Sequence, residues 1–209
     1  ELKQTLDELR IKNQQLEEAV DKLEQLASTD PLTGLANRRT VQQTLDRSFA
    51  ESNRYGSDLS CLMIDLDGFK KLNDNLGHQM GDRLLQTTAK VLRANCRRCD
   101  MAGRYGGDEF VVLLPHTDPD VARQVAKRIQ TQFVEAADAM LPEELTCNMS
   151  VGIACVSSSR PANADQLVAL ADAALYRAKQ AGKACIFLHE PPANLARHPH
   201  QPKTAEPAS

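Results

Sequence analysis

The stretch Arg104-Tyr105-Gly106-Gly107-Asp108-Glu109-Phe110, which runs directly into Val111-Val112-Leu113-Leu114, indicates how the sheet of this protein is built. Two glycines between apolar, strand-prone runs predict a tight hairpin turn, because glycine takes positive φ without steric cost. Neighbouring strand positions point to opposite faces, so Asp108 and Glu109 cannot both point inward. The hairpin tip therefore offers a carboxylate beside open backbone, which suits a divalent metal and a phosphate. Taken alone, the stretch is more typical of a solvated turn with two surface acids.

A second strand also ends in acids. Residues 60–70 read Ser-Cys-Leu-Met-Ile-Asp-Leu-Asp-Gly-Phe-Lys, a buried type of strand that runs into polar residues. Asp65 and Asp67 share one face if the strand continues through them. A carboxylate at the end of an apolar strand costs free energy unless it is paired or bound to a metal. Two such strand ends side by side predict a compact Mg²⁺ site.

These strand ends belong to a series of motifs that resembles the GGDEF-domain diguanylate cyclases. The resemblance covers roughly residues 29–188, and the motifs occur in the order found in the family. They are Asp30-Pro31-Leu32-Thr33-Gly34-Leu35-Ala36-Asn37-Arg38-Arg39, residues 65–70, Asn73-Asp74, residues 77–82, residues 104–110 and Tyr176-Arg177-Ala178-Lys179. The resemblance implies an enzyme that joins two GTP molecules into cyclic di-GMP and releases pyrophosphate.

The resemblance also implies which residues carry the chemistry. Asp65, the Leu66 carbonyl and Asp108 match the positions that bind Mg²⁺, with Mn²⁺ as an alternative metal. Asp108 and Glu109 are the expected catalytic acids, and the sequence leaves the division of roles between them open. Lys70 is the expected third catalytic residue, a point charge near the phosphates. By itself, Lys70 reads equally well as a solvated surface lysine.

Base recognition is expected at Asn73 and Asp82, which match the family's guanine-reading pair. Guanine presents N1–H and N2–H donors to a carboxylate, and adenine lacks that pair of donors. Asp82 would therefore be left unpaired against ATP, and polar sites discriminate strongly in this way. His78 lies between the two and matches a substrate-contacting position, although a lone histidine in a loop is more often structural.

The expected phosphate contacts combine bare backbone with two lysines. Gly68 and Phe69 precede a short helix, whose first N–H groups suit phosphate. Lys179 and Lys183 are four residues apart, which predicts that they share one helix face. The resemblance implies that they hold the terminal phosphates, and the alternative is a solvated basic face. The expected substrate-binding set is Phe69, Asn73, His78, Asp82, Gly106, Gly107, Lys179 and Lys183.

A product-inhibition site is implied by Arg97 and Asp100, which stand in an Arg-x-x-Asp motif shortly before the hairpin. An arginine suits both phosphate and the Hoogsteen edge of guanine. Arg128 matches the family's supporting arginine. Cys96 and Cys99 overlap this motif, but no second pair stands at ligand spacing, which disfavours zinc or redox chemistry.

Residues 1–28 show a heptad pattern, with leucines at positions 2, 9, 16 and 23 and a second series at 6, 13, 20 and 27. The second series carries the polar residue Asn13, and one such residue in a seam fixes register and a two-stranded state. We predict a parallel coiled-coil homodimer. The alternative is a single amphipathic helix that packs on the domain.

Composition bounds the remaining possibilities. The 209 residues are 42% apolar with a net charge of −3, which allows one core and provides no basic surface for nucleic acid. No apolar run reaches the roughly 20 residues of a membrane span, and no signal peptide is present. Six cysteines scattered through predicted elements fit a reducing cytosol. We expect a cytoplasmic protein, either free or as the cytoplasmic part of a longer sensor.

The predicted elements alternate between helices and strands. Helices are expected at 38–51, after Gly68, at 81–95, 119–140 and 165–181, and strands at 59–65, 101–105, 109–114, 145–157 and 184–188. With the resemblance, this order predicts an α+β fold, a nucleotidyl-cyclase or palm-like sandwich with a central, largely antiparallel sheet. The expected divisions are a coiled coil at 1–28, a catalytic domain at 29–189 and a Pro-rich tail at 190–209.

Three functions compete at this point. The first is a Mg²⁺-dependent diguanylate cyclase that acts as a dimer and is inhibited by its product. The second is a catalytically silent domain that binds GTP or cyclic di-GMP and signals through its coiled coil. The third is a structural coiled-coil adaptor, which leaves the acidic strand ends unexplained. The presence of all the expected acids favours the enzyme.

Overall fold

A computed structural model of the protein describes residues 3, 9–15, 17, 20 and 28–190. Its core is a five-stranded sheet in the order β2-β3-β1-β4-β5. The elements, in chain order, are α1 (Arg38–Tyr55), β1 (Leu59–Asp67), α2 (Phe69–Leu76), α3 (His78–Asn95), β2 (Met101–Arg104), β3 (Glu109–Pro115), α4 (Pro119–Asp138), β4 (Asn148–Cys155), α5 (Val156–Ser159), α6 (Ala164–Gln180) and β5 (Ile186–Leu188).

Strand β1 is the centre of the sheet. It pairs antiparallel with β3 on one side and with β4 on the other. Strand β2 pairs antiparallel with β3, and only β5 joins in parallel, next to β4. The predicted fold class, α+β with a largely antiparallel sheet, is confirmed.

Both faces of β1 are buried because helices cover both sides of the sheet. Leu62, Ile64 and Leu66 pack with the apolar residues of α3 and α4. Cys61 and Met63, on the other face, pack with residues of α1 and α6. Since side chains alternate along a strand, Asp65 lies on the same face as Met63, towards α6. The alternation thus carries Asp65 towards the C-terminal end of α6, where Arg177 and Lys179 lie.

Local sequence fixes where the long helices begin. The side chains of Asn37, Asp118 and Asn163 accept hydrogen bonds from backbone N–H groups in the first turns of α1, α4 and α6. Each bond satisfies a donor that the helix leaves open. Asp118 is followed by Pro119, whose fixed φ and missing N–H suit the first helical position.

Several element boundaries differ from the sequence prediction, and the following bear most on the site. Helix α1 runs on to Tyr55, and α3 begins at His78, three residues before the predicted Gly81. Strand β4 covers only Asn148–Cys155, because the chain turns into the short helix α5 instead of extending to residue 157. Helix α6 ends at Gln180, with Gly182 beyond it at a φ of 114°.

Most of the heptad pattern lies outside the described residues, as does the tail after Glu190. Among the heptad positions that are described, Leu9, Asn13 and Val20 are helical and exposed. The side chains of Leu9 and Val20 are 58% and 45% accessible. The coiled-coil dimer therefore stays a prediction. Among the described residues, no helix combines the length and apolar character needed to cross a membrane.

Candidate functional site

The two acidic strand ends lie side by side. Asp65 stands directly opposite Glu109 in the register of β1 and β3. The Leu66 amide donates a hydrogen bond to the Asp108 carbonyl over 3.4 Å, so pairing continues past the end of β3. The sheet thus brings Asp65, Leu66, Asp108 and Glu109 together at one edge.

A lysine already neutralises this acidic patch. Lys179 Nζ, at the end of α6, lies 2.8 Å from Asp65 Oδ2, and the Asp65 side chain is only 12% exposed. Burial raises the pKa of Asp65, the charges of Asp108 and Glu109 raise it further, and Lys179 opposes this. Burial works to lower the pKa of Lys179, but Asp65, Glu109 and Asp108 outweigh it and raise that pKa. Three carboxylates therefore act together on one cation.

This donor set fits Mg²⁺. The described residues contain no group of three or more His, Cys, Asp or Glu side chains arranged to hold a metal. Mg²⁺ is usually bound by only one or two carboxylates together with water and substrate phosphates. Asp65, Asp108 and the Leu66 carbonyl are hard oxygen donors of this kind. Lys179 shows that the edge accepts a cation at Asp65.

The two hairpin glycines serve different purposes from the one predicted. We expected positive φ at the turn, and neither Gly106 nor Gly107 has it. A Cβ on Gly106 would lie 2.6 Å from Glu109 Oε2, whereas a Cβ on Gly107 would meet nothing within 4 Å. The Glu109 carboxylate thus lies against Gly106, and Gly107 leaves open space at the hairpin tip.

Arg104 clamps the hairpin, a role that sequence reasoning missed. Its Nε and Nη2 donate to the Gly107 carbonyl at 3.0 and 2.7 Å. Its Nη1 donates to both carboxylate oxygens of Asp30 at 3.3 and 3.2 Å. Asp30 also accepts hydrogen bonds from the backbone N–H and the hydroxyl of Thr33. Arg104 thus connects the segment before α1 to the turn that carries Asp108.

The pKa of Asp30 reflects this clamp. Burial by itself works to raise it, but the two hydrogen bonds from Thr33 and the Arg104 guanidinium outweigh burial and lower it. The carboxylate is therefore held in its charged form. The sequence signal for this turn was the spacing of Asp30 and Thr33, because Asp side chains accept hydrogen bonds from nearby backbone in turns.

Asp67 supports a loop. Its carboxylate accepts from Ser150 Oγ at 2.9 and 3.0 Å and from the Ala184 amide at 2.9 Å. Lys183 and Ala184 have left-handed φ angles of 66° and 50°, which non-glycine residues adopt only when the surroundings hold them. The prediction that Lys179 and Lys183 share a helix face is wrong, because α6 ends before Lys183 and the chain turns there.

The expected guanine-reading residues lie on two adjoining helices. Gly68 has a φ of 78° and precedes α2, whose first residues are Phe69, partly buried, and Lys70, exposed. Asn73 is on α2, and its Oδ1 is buried without a hydrogen-bond partner among the described residues. His78, the first residue of α3, and Asp82, one turn further on, are both exposed.

The expected inhibitory residues cluster at the far end of α3. Asp100 closes a turn by accepting from the Arg97 backbone N–H at 2.7 Å, and the Arg97 side chain is exposed. Arg128 on α4 donates to the side chain and carbonyl of Asn95, the last residue of α3. The structure thus brings Arg128 to the same end of α3 as Arg97 within one domain.

The sheet order and the carboxylates beside its central hairpin are those of a nucleotidyl-cyclase type of α+β domain. Comparison with known proteins then identifies the family. Its sequence profile, described as "Diguanylate cyclase, GGDEF domain", matches residues 27–185. The chain belongs to the GGDEF-domain family of diguanylate cyclases.

Named relatives agree with this assignment. The chain is 40% identical over 159 residues to the diguanylate cyclase DgcP of Pseudomonas aeruginosa, a match that covers 76% of this chain and 23% of DgcP. It is 36% identical over 164 residues to the response regulator PleD of Caulobacter vibrioides, covering 78% of this chain and 36% of PleD. The chain therefore spans about a quarter to a third of these curated relatives.

Solved structures show the same fold. The GGDEF domain of DgcB from Caulobacter crescentus in complex with c-di-GMP is 31% identical, with a TM-score of 0.71 over 78% of this chain and 96% of that one. A second structure, comprising the coiled coil and GGDEF domain of DgcB with c-di-GMP, is 29% identical. It gives a TM-score of 0.71 over 90% of this chain and 98% of that one.

Proposed function

We propose that this chain is an active diguanylate cyclase that converts two GTP molecules into cyclic di-GMP and two pyrophosphates with Mg²⁺. One observation carries the proposal. Asp65 pairs with Lys179 and stands opposite Glu109, and Asp108 lies beside them at a hairpin whose tip, at Gly107, is open. Grouping three carboxylates at one strand end costs free energy, and a catalytically silent domain would gain nothing from it.

We assign the roles as follows. Asp65, Asp108 and the Leu66 carbonyl would hold the metal, which would neutralise phosphate charge and favour loss of the hydroxyl proton. Lys70, Lys179 and Lys183, with the backbone of Phe69, Gly106 and Gly107, bind the phosphates. Asn73 and Asp82 read the guanine, and His78 contacts the substrate at the start of α3.

The reaction is a phosphoryl transfer at the α-phosphate. The 3′-oxygen of each GTP forms a bond to the α-phosphorus of the other, and in each of the two transfers the bond from that phosphorus to the pyrophosphate oxygen breaks. The hydroxyl proton passes to a carboxylate at the hairpin, Glu109 or Asp108. Lysine charge stabilises the phosphates during transfer, and it acts most strongly where water is excluded.

Two GTP molecules must meet, and each domain provides the residues for one. We propose that the heptads of residues 1–28 join two chains in parallel and that the two sites face each other in this homodimer. The exposed Leu9 and Val20 support this, as does the similarity to the coiled coil and GGDEF domain of DgcB. GTP is a cytosolic nucleotide, so we place this activity in the cytoplasm.

We further propose that the product inhibits the enzyme at Arg97, Asp100 and Arg128. Arg97 is exposed, and the charged group of Arg128 is tied to the same end of α3. Two arginines can pair with the phosphates and guanine edges of cyclic di-GMP. The similarity to DgcB structures in complex with c-di-GMP supports this proposal.

The proposal is tested by incubating the chain with GTP and MgCl₂ and identifying the product by mass spectrometry. We expect cyclic di-GMP and two pyrophosphates, and no product from Asp108→Asn, whose amide is a poor metal ligand. Asp82→Ala should lose GTP turnover far more than thermal stability, and wild type should barely use ATP. Tight GTP binding with no pyrophosphate release would instead identify a silent signalling domain.

A further inference from the structure

Gly81 lies in the second turn of α3 and is buried. A Cβ built on it would lie 1.8 Å from Asn73 Oδ1, 2.7 Å from Asn73 Cγ and 3.0 Å from Asn73 Nδ2. The amide of Asn73 therefore lies directly against the backbone of α3 at this residue. At Gly77, which ends α2 and precedes α3, a Cβ would meet nothing within 4 Å.

The helix itself gives no reason for a glycine at this position. Gly81 is absent from the glycines with positive φ, so alanine could adopt its backbone conformation. Alanine in the interior of a helix is more stable than glycine, because glycine loses more backbone entropy on folding. The three nearest atoms that a Cβ would meet, outside the backbone of α3, all belong to the end of one flexible side chain. Stability alone would therefore favour alanine.

The position of Asn73 points to a ligand instead. Its Oδ1 is buried and has no hydrogen-bond partner among the described residues. An unsatisfied buried acceptor costs free energy, which a bound donor would recover. Asp82, the other proposed guanine contact, follows Gly81 directly in sequence, so the two contacts meet at this turn of α3.

We infer that Gly81 is a positioning residue for base recognition: its missing side chain lets the Asn73 amide lie against α3, in reach of guanine. The inference rests on the proposed function, in which Asn73 and Asp82 bind the base. A methyl group at residue 81 would push the amide off α3, towards the space that the base needs. Gly81 thus controls affinity and base selectivity by acting through Asn73.

The test is Gly81→Ala, assayed by calorimetric binding of GTP and of ITP, which lacks the 2-amino group, in the presence of Ca²⁺. We expect wild type to prefer GTP, and Gly81→Ala to bind GTP at least about tenfold more weakly and to lose most of that preference. Its melting temperature should be unchanged or higher by about 1–4 °C. Lys90→Ala, an exposed change on the same helix, is the matched control and should bind as wild type does.

A double-mutant cycle separates a positioning role from a general packing role. In an Asn73→Ala background, Gly81→Ala should weaken GTP binding no further, because the group that it displaces is gone. Wild-type affinity and selectivity in Gly81→Ala would overturn the inference. So would an equal further loss in the Asn73→Ala background, or an Asn73→Ala variant that binds as wild type does. Because binding is measured, these outcomes are distinct from a failure of turnover.

Discussion

Replacing Arg104 with methionine should loosen the hairpin that carries Asp108. The guanidinium serves two partners at once, the Gly107 carbonyl and both oxygens of Asp30. The side chains of Arg104 and Asp30 are only 18% and 17% exposed, so the loss leaves a largely buried carboxylate without its cation. Removing one member of a fully buried pair costs roughly 3–5 kcal/mol. Asp30 is partly solvated and keeps its bonds from Thr33, so we expect about 2 kcal/mol.

For a chain of this size, that loss corresponds to a melting temperature lower by roughly 4–8 °C, measured by circular dichroism. Arg104→Lys should give an intermediate value, because one ammonium keeps the charge but cannot reach both partners. Adding Asp30→Asn to Arg104→Met should recover part of the loss, since it removes the unpaired charge. The turnover number should also fall by about tenfold or more, because a displacement of the acids by about 1 Å is enough to slow transfer.

The pH dependence provides a second check. Because the folded-state pKa of Asp30 is lowered, its charge stabilises the fold above the ordinary aspartate pKa. This stabilisation is lost as the pH falls through the folded-state value. The difference in melting temperature between wild type and Asp30→Asn should therefore shrink below about pH 4. A difference that is equal at neutral and acid pH, or wild-type stability in Arg104→Met, would refute the clamp.

Three further predictions concern the metal, the dimer and the product. Asp65→Asn should abolish pyrophosphate release while the melting temperature changes by only a few degrees. The stability effect is small because Lys179, the ion-pair partner that Asp65 loses, is partly exposed. Retained turnover would contradict the metal assignment. Deleting residues 1–26 should lower specific activity, most of all on dilution. A deletion variant that is monomeric by light scattering yet fully active would rule out the dimer. Arg97→Ala should bind cyclic di-GMP roughly ten- to a hundred-fold more weakly, with an almost unchanged initial rate and longer progress curves, and equal inhibition of both forms would count against the site.

The strands of the sheet, and the two acidic strand ends that form the candidate site, could be predicted from the sequence. The apolar runs and turn residues located β1 and the hairpin. Once β1 and β3 were assigned to one sheet, their acidic ends were expected to lie side by side. The fold class needed the family resemblance as well, because alternating elements alone leave the strand order open. Register then placed Asp65 opposite Glu109.

Contacts between residues that are far apart in the sequence could not be predicted. Spacing suggested that Lys179 and Lys183 share a helix face, but helix ends depend on tertiary partners, and here Asp67 holds the Ala184 amide in a turn. Lys179 was expected at phosphates, and its ion pair with Asp65 was not predicted. Gly106 was interpreted through backbone freedom, whereas in the structure it lacks positive φ and the Glu109 carboxylate lies against it.

The hydrogen bond from Ala184 to Asp67 has a consequence for synthesis of the protein. It joins positions 117 residues apart. A ribosome adds about 5–20 residues per second, so this partner is made roughly 6–23 s after Asp67. For the first part of that interval the central strand lacks β4, and until almost its end Asp65 lacks Lys179. A nascent chain therefore has no assembled site until the segment that carries Lys179 and Ala184 has left the exit tunnel.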